Sequence, residues 1–510
     1  MSHTENRESA DDMKKVARGA GITFAGAVSG RGLWFLSQVI IARSFGAEVF
    51  GLYILGLMVL KVTELIARLG LDSGAMRYVS IHRKTSPSSV KGVLLCSLLL
   101  SFVNGVFTGL IVYYLAGFIS GVIFHNPELK GIIRLFAFSV PFMSAMMVTA
   151  TASQGFHTAR YLVYIKDIIQ PLANIVLIVL SLVLGFGITG VCLSFVASYL
   201  IALVAGLHLL SARFPGLRDR TLRPAFINRE LVAYSIPLLF NGFLLFMINW
   251  TDAIMLGVFK TSASVGIYRA ASQVPMFLGL IMVAFTSIYG PAIAEMHHGG
   301  ERGRMEAIFK ATARWVCILA LPASLLLIFS SETIMSIFGN DFVAEGAYVL
   351  MVLAVAQLVN CATGPVGFTL NMTGRQNVEL ANSLVLLLVN VVLNYLLIPR
   401  YGAIGAAVAT AISISSINVL RVLEVFFFYR MHPFSQAHLG MAAGGGVSIA
   451  LLYLLGRLTA GQTQFVGVLS NVAVVGAVFV LFFFFTGLRF EDRMIVNAIA
   501  EKLHIRAFKA

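Results

Sequence analysis

The stretch Val93–Ala116, VLLCSLLLSFVNGVFTGLIVYYLA, contains no Asp, Glu, Lys or Arg. As an α-helix it is about 36 Å long, enough to cross the ~30 Å hydrocarbon core of a bilayer. Its apolar residues do not alternate with polar ones, which argues against a barrel strand, and a helix satisfies its own backbone in lipid. Working outward from it, the same reading recurs along the chain. Fourteen spans are expected, at 20–43, 47–71, 89–116, 130–154, 161–185, 188–210, 230–257, 263–290, 307–330, 343–371, 377–397, 403–427, 437–457 and 465–487. The fold class is therefore all-α integral membrane.

Composition agrees. Of 510 residues, 58% are hydrophobic and 12% charged, whereas soluble proteins carry about 25% charged residues. No single soluble core grows large enough to hide that apolar surface. The formal net charge of +14 does not point to nucleic acid. The basic residues gather in short connectors, as in cytoplasmic loops that face anionic lipid. Cys96, Cys192, Cys317 and Cys361 all fall inside apolar segments, with neither disulfide nor metal spacing. No GxSxG, HExxH or Walker A motif occurs in usable context. No enzyme activity, cofactor or metal is expected. The polar first 19 residues, with Lys14, Lys15 and Arg18, lack the apolar region and cleavage site of a signal peptide.

An even number of spans puts both termini on one side. The Lys and Arg residues facing the other side then reduce to Arg43, Lys130, Arg134, Lys260, Arg400 and Arg457, out of 37 in all. The positive-inside rule makes both termini cytoplasmic in a multi-pass inner (plasma) membrane protein. The connector at 211–229, with Arg213, Arg218, Arg220, Arg223 and Arg229, reads as an anchor on anionic head groups.

The chain also repeats. Phe45-Gly-Ala-Glu-Val-Phe-Gly-Leu-Tyr53 resembles Phe259-Lys-Thr-Ser-Ala-Ser-Val-Gly-Ile-Tyr268, with Gly51 mapping to Gly266 and Tyr53 to Tyr268 at an offset of 215, and Gly187-Ile-Thr-Gly190 matches Gly402-Ala-Ile-Gly405 at the same offset. The repeat holds six spans, so both copies run in the same direction. Two pseudo-symmetric six-helix lobes are expected, related by an axis along the membrane normal and able to rock about a cleft. The expected layout is a cytoplasmic tail (1–19), an N-lobe (20–210), a basic linker (211–229), a C-lobe (230–427), two further helices (428–487) and a cytoplasmic tail (488–510).

Ionisable groups in hydrocarbon are costly and usually face protein or a wet cavity. Arg31 lies near the middle of span 1. Span 2 carries Lys61, Glu64 and Arg68, with Asp72 at its end, all within about an 80° arc. Span 7 holds Asp252 and span 8 holds Arg269. These residues come from the first two helices of each lobe and would give the cleft a net positive charge. Arg31, Lys61, Arg68 and Arg269 are the candidate substrate contacts, because arginine forks suit phosphate. Glu64 and Asp252 are the candidates for ion coupling. A structural reading stands beside this one: Lys61, Glu64 and Arg68 are also spaced as a ladder of ion pairs. Pro237 and Pro275 are candidate hinges, and Asn390 and Asn394 read as hydrogen-bond glue between helices.

Asn249-Trp-Thr-Asp252-Ala-Ile-Met-Leu-Gly257, followed by Val265-Gly-Ile-Tyr-Arg-Ala-Ala-Ser272, resembles the span 7–8 signature of polysaccharide-transport proteins. These are Wzx-type oligosaccharide (O-antigen) flippases of the multidrug/oligosaccharidyl-lipid/polysaccharide exporter (MATE/MOP) superfamily. Ser235-Ile-Pro237 looks like the start of that signature. The resemblance implies a fourteen-helix, two-lobed fold that moves an undecaprenyl-pyrophosphate-linked oligosaccharide to the periplasmic leaflet for cell-surface polysaccharide. In the related lipid II flippases, arginines in helices 1, 2 and 8 line a cationic cavity. Arg31, Arg68 and Arg269 take those places by helix. Helices 13 and 14 would offer the lipid tail a groove, beside Gly444-Gly-Gly446. The implied partners are the lipid-linked oligosaccharide, membrane lipids, and a polymerase and glycosyltransferases acting nearby, around a monomer. The alternatives are a multidrug exporter of the same superfamily, which an acidic cavity would suit better, and a membrane glycosyltransferase or polymerase, which would need a large outer loop.

Overall fold

The computed structural model describes residues 3–458 and 464–486. The tail expected at 488–510 lies outside the described residues. Every regular element among them is helical. The chain forms two compact units that divide between Gly266 and Ile267. The first holds His3–Arg68, Leu71–His82, Pro87–Phe118, Leu129–Ala137, Val140–Ala152, Arg160–Val183, Gly187–Arg213 and Asn228–Phe259. The second holds Leu278–His298, Arg302–Phe329, Val343–Ala362, Gln376–Tyr429, Gln436–Leu458 and Gln464–Thr486. The helix Asn228–Phe259, expected to open the C-lobe, belongs to the first unit because it packs on both His3–Arg68 and Leu71–His82.

Ten described helices are long and apolar enough to cross a membrane, or eleven when the bent pair Leu129–Ala137 and Val140–Phe156 is taken as one span. The protein is thus an all-α, multi-pass membrane protein. Large apolar side chains such as Leu99, Phe107, Tyr114 and Val183 stand exposed on the helix exteriors, a surface that lipid covers and water would penalise.

Two helices far exceed a bilayer's thickness, and each is broken at a glycine. His3–Arg68 breaks at Gly46 (φ 76°, ψ 178°) and Gln376–Tyr429 at Gly402 (φ 57°, ψ −134°). Only a residue without a Cβ adopts such angles cheaply. The breaks fall where spans 1 and 2, and spans 11 and 12, were expected to separate. Elsewhere the expected boundaries need correction. The span expected at 130–154 is bent by 47°, because Pro141 removes a backbone donor and crowds the preceding turn. The span expected at 343–371 stops at Ala362. Gly364 (φ 70°) and Pro365 then break the chain before the short helix Val366–Met372. The helix at the N-terminus starts at His3 and runs on through the segment expected as a polar tail. Pro275 opens a short 3₁₀ turn between Ser262–Gln273 and Leu278–His298, whereas Pro237 stays inside its helix.

The basic connector after Arg213 is pinned to the first unit. The buried Lys91 Nζ donates to the Asp219 carbonyl oxygen at 2.5 Å, and Ala225 N donates to Ser88 O at 3.0 Å. Phe214 stacks on Phe156. Thr221 donates twice to Asp219 Oδ1, from N at 2.8 Å and Oγ1 at 2.7 Å, which holds that carboxyl below the usual range.

Candidate functional site

The second arm of the first helix places its charges as the helical spacing predicts. Arg68 Nε lies 3.5 Å from Glu64 Oε1, and Arg68 Nη1 donates to Asp72 Oδ2 at 3.2 Å. Asp72 reaches Arg68 across a backbone break. Leu69 (φ 53°) and Gly70 (φ 71°) are both left-handed, and Leu71 begins a new helix. A Cβ on Gly70 would lie 2.3 Å from Ser235 O, so glycine supplies both the conformation and the close approach of Asn228–Phe259. Arg68 and Glu64 are largely buried. Arg68 thus bridges two carboxylates, Glu64 and Asp72.

Lys61 sits on the same arm, with Nζ 5.8 Å from the Trp34 ring centroid. Trp34 belongs to the first arm, one turn beyond Arg31, and packs edge-on against Phe195. A cation held over an indole face keeps its charge and remains able to meet an anion. Arg31 is exposed. The residue before it, Gly30, faces Asp167, whose Cβ would lie 2.8 Å from a Cβ on that glycine. Asp252 is half-buried beside the buried Trp250, whose ring stacks on Phe246. Arg269, in the second unit, is half-buried, and its carbonyl oxygen accepts from Ser272 Oγ and Gln273 Nε2.

The sequence reading overlooked several charges within spans. Asp167 and Lys166 lie on Val163–Ile169, which, like Ile119–Ile123, is wound as a π-helix, a rare form frequent at functional sites. In the second unit Arg314 is buried. Arg421 there pairs with Glu379, Nε to Oε2 at 3.0 Å, while Asn382 Nδ2 donates to Glu424 Oε2 at 2.6 Å. A scan for any ionisable residue inside the apolar runs would have found all of these. Asn390 and Asn394 do act as glue. Asn394 donates to Asn390 Oδ1 at 3.0 Å, and Asn390 donates to Thr410 Oγ1 at 3.1 Å across the two arms of Gln376–Tyr429.

The core of the first unit also holds polar groups that periodicity does not reveal. Gln38 and Asn174 are fully buried, and neither amide has a partner of good hydrogen-bond geometry among the described residues. The Tyr53 hydroxyl, beside Gln38, is in the same position. Bare polar atoms of this kind are expensive and usually hold water. Chemically, the first unit carries Arg31, Lys61 and Arg68 on its opening helix, with Arg68 shared between two acids. That set suits an anionic group such as a phosphate.

A model of the polysaccharide biosynthesis protein family matches residues 16–297, and a MatE model matches residues 237–396. A probable low-salt glycan biosynthesis flippase, Agl15 of Haloferax volcanii, is 24% identical over 417 residues, covering 79% of this chain and 82% of that protein. The capsular polysaccharide biosynthesis protein CapF of Staphylococcus aureus is 23% identical over 203 residues, covering 40% of this chain and 50% of its own length. Among solved structures, the lipid II flippase MurJ in an inward closed conformation superposes with a TM-score of 0.72 at 15% identity, covering 90% of this chain and 98% of that one. An inward-facing multidrug resistance MATE transporter gives 0.59 at 14% identity, covering 80% and 94%. The fold is that of these transporters. With a family model spanning more than half of its length, this chain belongs to the polysaccharide biosynthesis protein family.

Proposed function

We propose that this protein is a flippase that carries a polyprenyl-pyrophosphate-linked oligosaccharide from the cytoplasmic to the periplasmic leaflet of the inner membrane by alternating access. The observation that carries this reading is the set of membrane-embedded cations, Arg31 and Lys61 foremost, on the opening helices of a polysaccharide biosynthesis protein. Arg31, Lys61, Arg68 and Arg269 receive the pyrophosphate, with Arg68 exchanging its carboxylates for it. The sugar rides in the cleft, and the polyprenyl chain stays in lipid. Glu64 and Asp252 are the acids for ion coupling. Taking each glycine-broken helix as two spans, and the bent pair and Gln464–Thr486 as one each, the chain crosses fourteen times, with both termini cytoplasmic. Six spans then fall in each lobe, and two follow. It works as a monomer beside glycosyltransferases and a polymerase, and catalyses no bond-forming step itself.

The test is leaflet exposure of a labelled lipid-linked oligosaccharide in proteoliposomes. Wild type should move the lipid, and Arg31→Ala should reduce movement at least about tenfold. Equal movement by the two would remove Arg31 from the pathway. A preference for a cationic dye over the pyrophosphate lipid would favour a multidrug exporter.

A further inference from the structure

The short helix Leu129–Ala137 buries Leu129, Ile132, Ile133, Phe136 and Ala137. Its other face carries Lys130 and Arg134, one turn apart. Both side chains lie along the end of Pro87–Phe118. A Cβ on Gly117 would lie 3.7 Å from Lys130 Cε and 3.9 Å from Lys130 Nζ, and the Arg134 guanidinium carbon lies 5.0 Å from the Tyr113 ring centroid. A step of four residues forward in one helix is a step of four back in the other, so the two helices run antiparallel and line both cations up on one strip. Like charges at this spacing repel. Among the described residues neither cation forms a salt bridge, and the buried Arg134 Nε has no hydrogen-bond partner. Glu128, the nearest acid in the sequence, is exposed two residues before Lys130, where the helical turn aims it elsewhere. Tyr113 packs edge-on against Tyr114 and Phe138, and Tyr114, Phe118 and Phe138 stand exposed around the strip. Aromatic side chains gathered at the end of a spanning helix mark the level of the lipid head groups.

We propose that Lys130 and Arg134 form a binding site for the phosphodiester head group of an anionic phospholipid in the outer leaflet. The leaflet follows from the topology proposed above, in which this end of Pro87–Phe118 faces outward. Lys and Arg are scarce on that side of a membrane protein, so a pair held together there without an acid calls for an anion from elsewhere. A phosphodiester accepts hydrogen bonds from the ammonium and the guanidinium at once and relieves their repulsion. The exposed rings favour a lipid over a soluble anion, because acyl chains cover them. A zwitterionic lipid fits less well, since its own ammonium meets two cations. The helix that carries the site presses on the second arm of the opening helix: a Cβ on Gly56 would lie 2.5 Å from Ile132 Cγ2. The bound lipid thereby braces the arm that bears Lys61 and Arg68.

The experiment uses the full-length protein in phosphatidylcholine nanodiscs with trace photoactivatable lipids, phosphatidylglycerol or phosphatidylcholine, each reactive beside its phosphate. Labelled peptides are mapped by mass spectrometry. In wild type the phosphatidylglycerol probe should label Leu129–Ala137 and residues 113–118 several-fold more than the phosphatidylcholine probe. Lys130→Gln with Arg134→Gln should remove that difference and leave labelling of the connector at 211–229 unchanged, which reports an intact fold. If the double variant does not reconstitute, Lys130→Gln alone, at an exposed position, should lose about half of the difference, since each basic residue near an anionic surface contributes a similar increment. Excess inorganic phosphate should compete no better than sodium chloride of equal ionic strength. Equal labelling by the two probes in wild type, or an unchanged preference in the variants, would overturn the proposal. Specific competition by inorganic phosphate would overturn it in favour of a soluble anion.

Discussion

Gly51 and Gly266 face each other across a backbone contact that leaves no room for a side chain on either. A Cβ on Gly51 would lie 1.7 Å from Ser262 O and 3.1 Å from Gly266 N. A Cβ on Gly266 would lie 2.3 Å from Ala47 O and 3.0 Å from Gly51 N. Gly51 and Gly266 are 215 residues apart, and so are Ala47 and Ser262. Each contact is therefore the other with the two copies exchanged. Both segments lie in the first unit.

Gly51→Ala and Gly266→Ala should each lower stability by about 3 kcal/mol, at the upper end of overpacking costs because the obstacle is backbone. Thermal unfolding of the detergent-solubilised protein measures this. Gly32→Ala serves as the control, since nothing lies within 4 Å of a Cβ there. A Gly51→Ala variant that melts with the wild type would mean the two segments part freely.

The Glu64–Arg68–Asp72 ladder should behave as a coupled unit. Arg68→Ala should cost about 3 kcal/mol, because it strands the largely buried Glu64, and Glu64→Ala should cost less, because Arg68 keeps Asp72. The double substitution should cost less than the sum of the two singles. Additive losses in a double-mutant cycle would show that the two side chains do not interact.

Gly187 and Gly402 occupy equivalent places in the two copies, and both have positive φ, 59° and 57°. Their substitutions should nevertheless differ. Nothing lies within 4 Å of a Cβ on Gly187, so alanine there meets backbone strain alone, about 1 kcal/mol. At Gly402, ψ is −134°, a region kept for glycine, and Glu345 Oε1 lies 3.3 Å from the new Cβ. That carboxylate also accepts from Ala403 N at 3.1 Å. Gly402→Ala should cost about 3 kcal/mol. Comparison of the two melting temperatures decides it, and equal shifts would contradict the account.

Lys91→Met should release the basic connector. The substitution keeps an apolar stem but removes the donor that holds the Asp219 carbonyl. Trypsin should then cut after Arg218 or Arg220 several-fold faster than in wild type, because cleavage follows local opening. Unchanged cleavage would mean that the backbone bond from Ala225 to Ser88 is enough to hold the connector.

Much of this protein was legible in its sequence, because the bilayer imposes a one-dimensional rule. Runs such as Val93–Ala116 must be helices, and Lys and Arg must gather on one side. The offset between Gly51 and Gly266, and the chemistry of Arg31, Lys61 and Arg68, follow from order and residue type alone. Helical spacing even anticipated the ion pair between Arg68 and Glu64. Only the tertiary structure placed Asp167 against Gly30, because that contact joins helices more than a hundred residues apart and depends on the room left at Gly26 and Gly30. The π-helical winding of Val163–Ile169 and the bend at Pro141 had no readable period, since both are set by packing against neighbours. Periodicity says which residues share a helix face. Which face meets which, and which charge finds which partner, is decided by close packing in three dimensions.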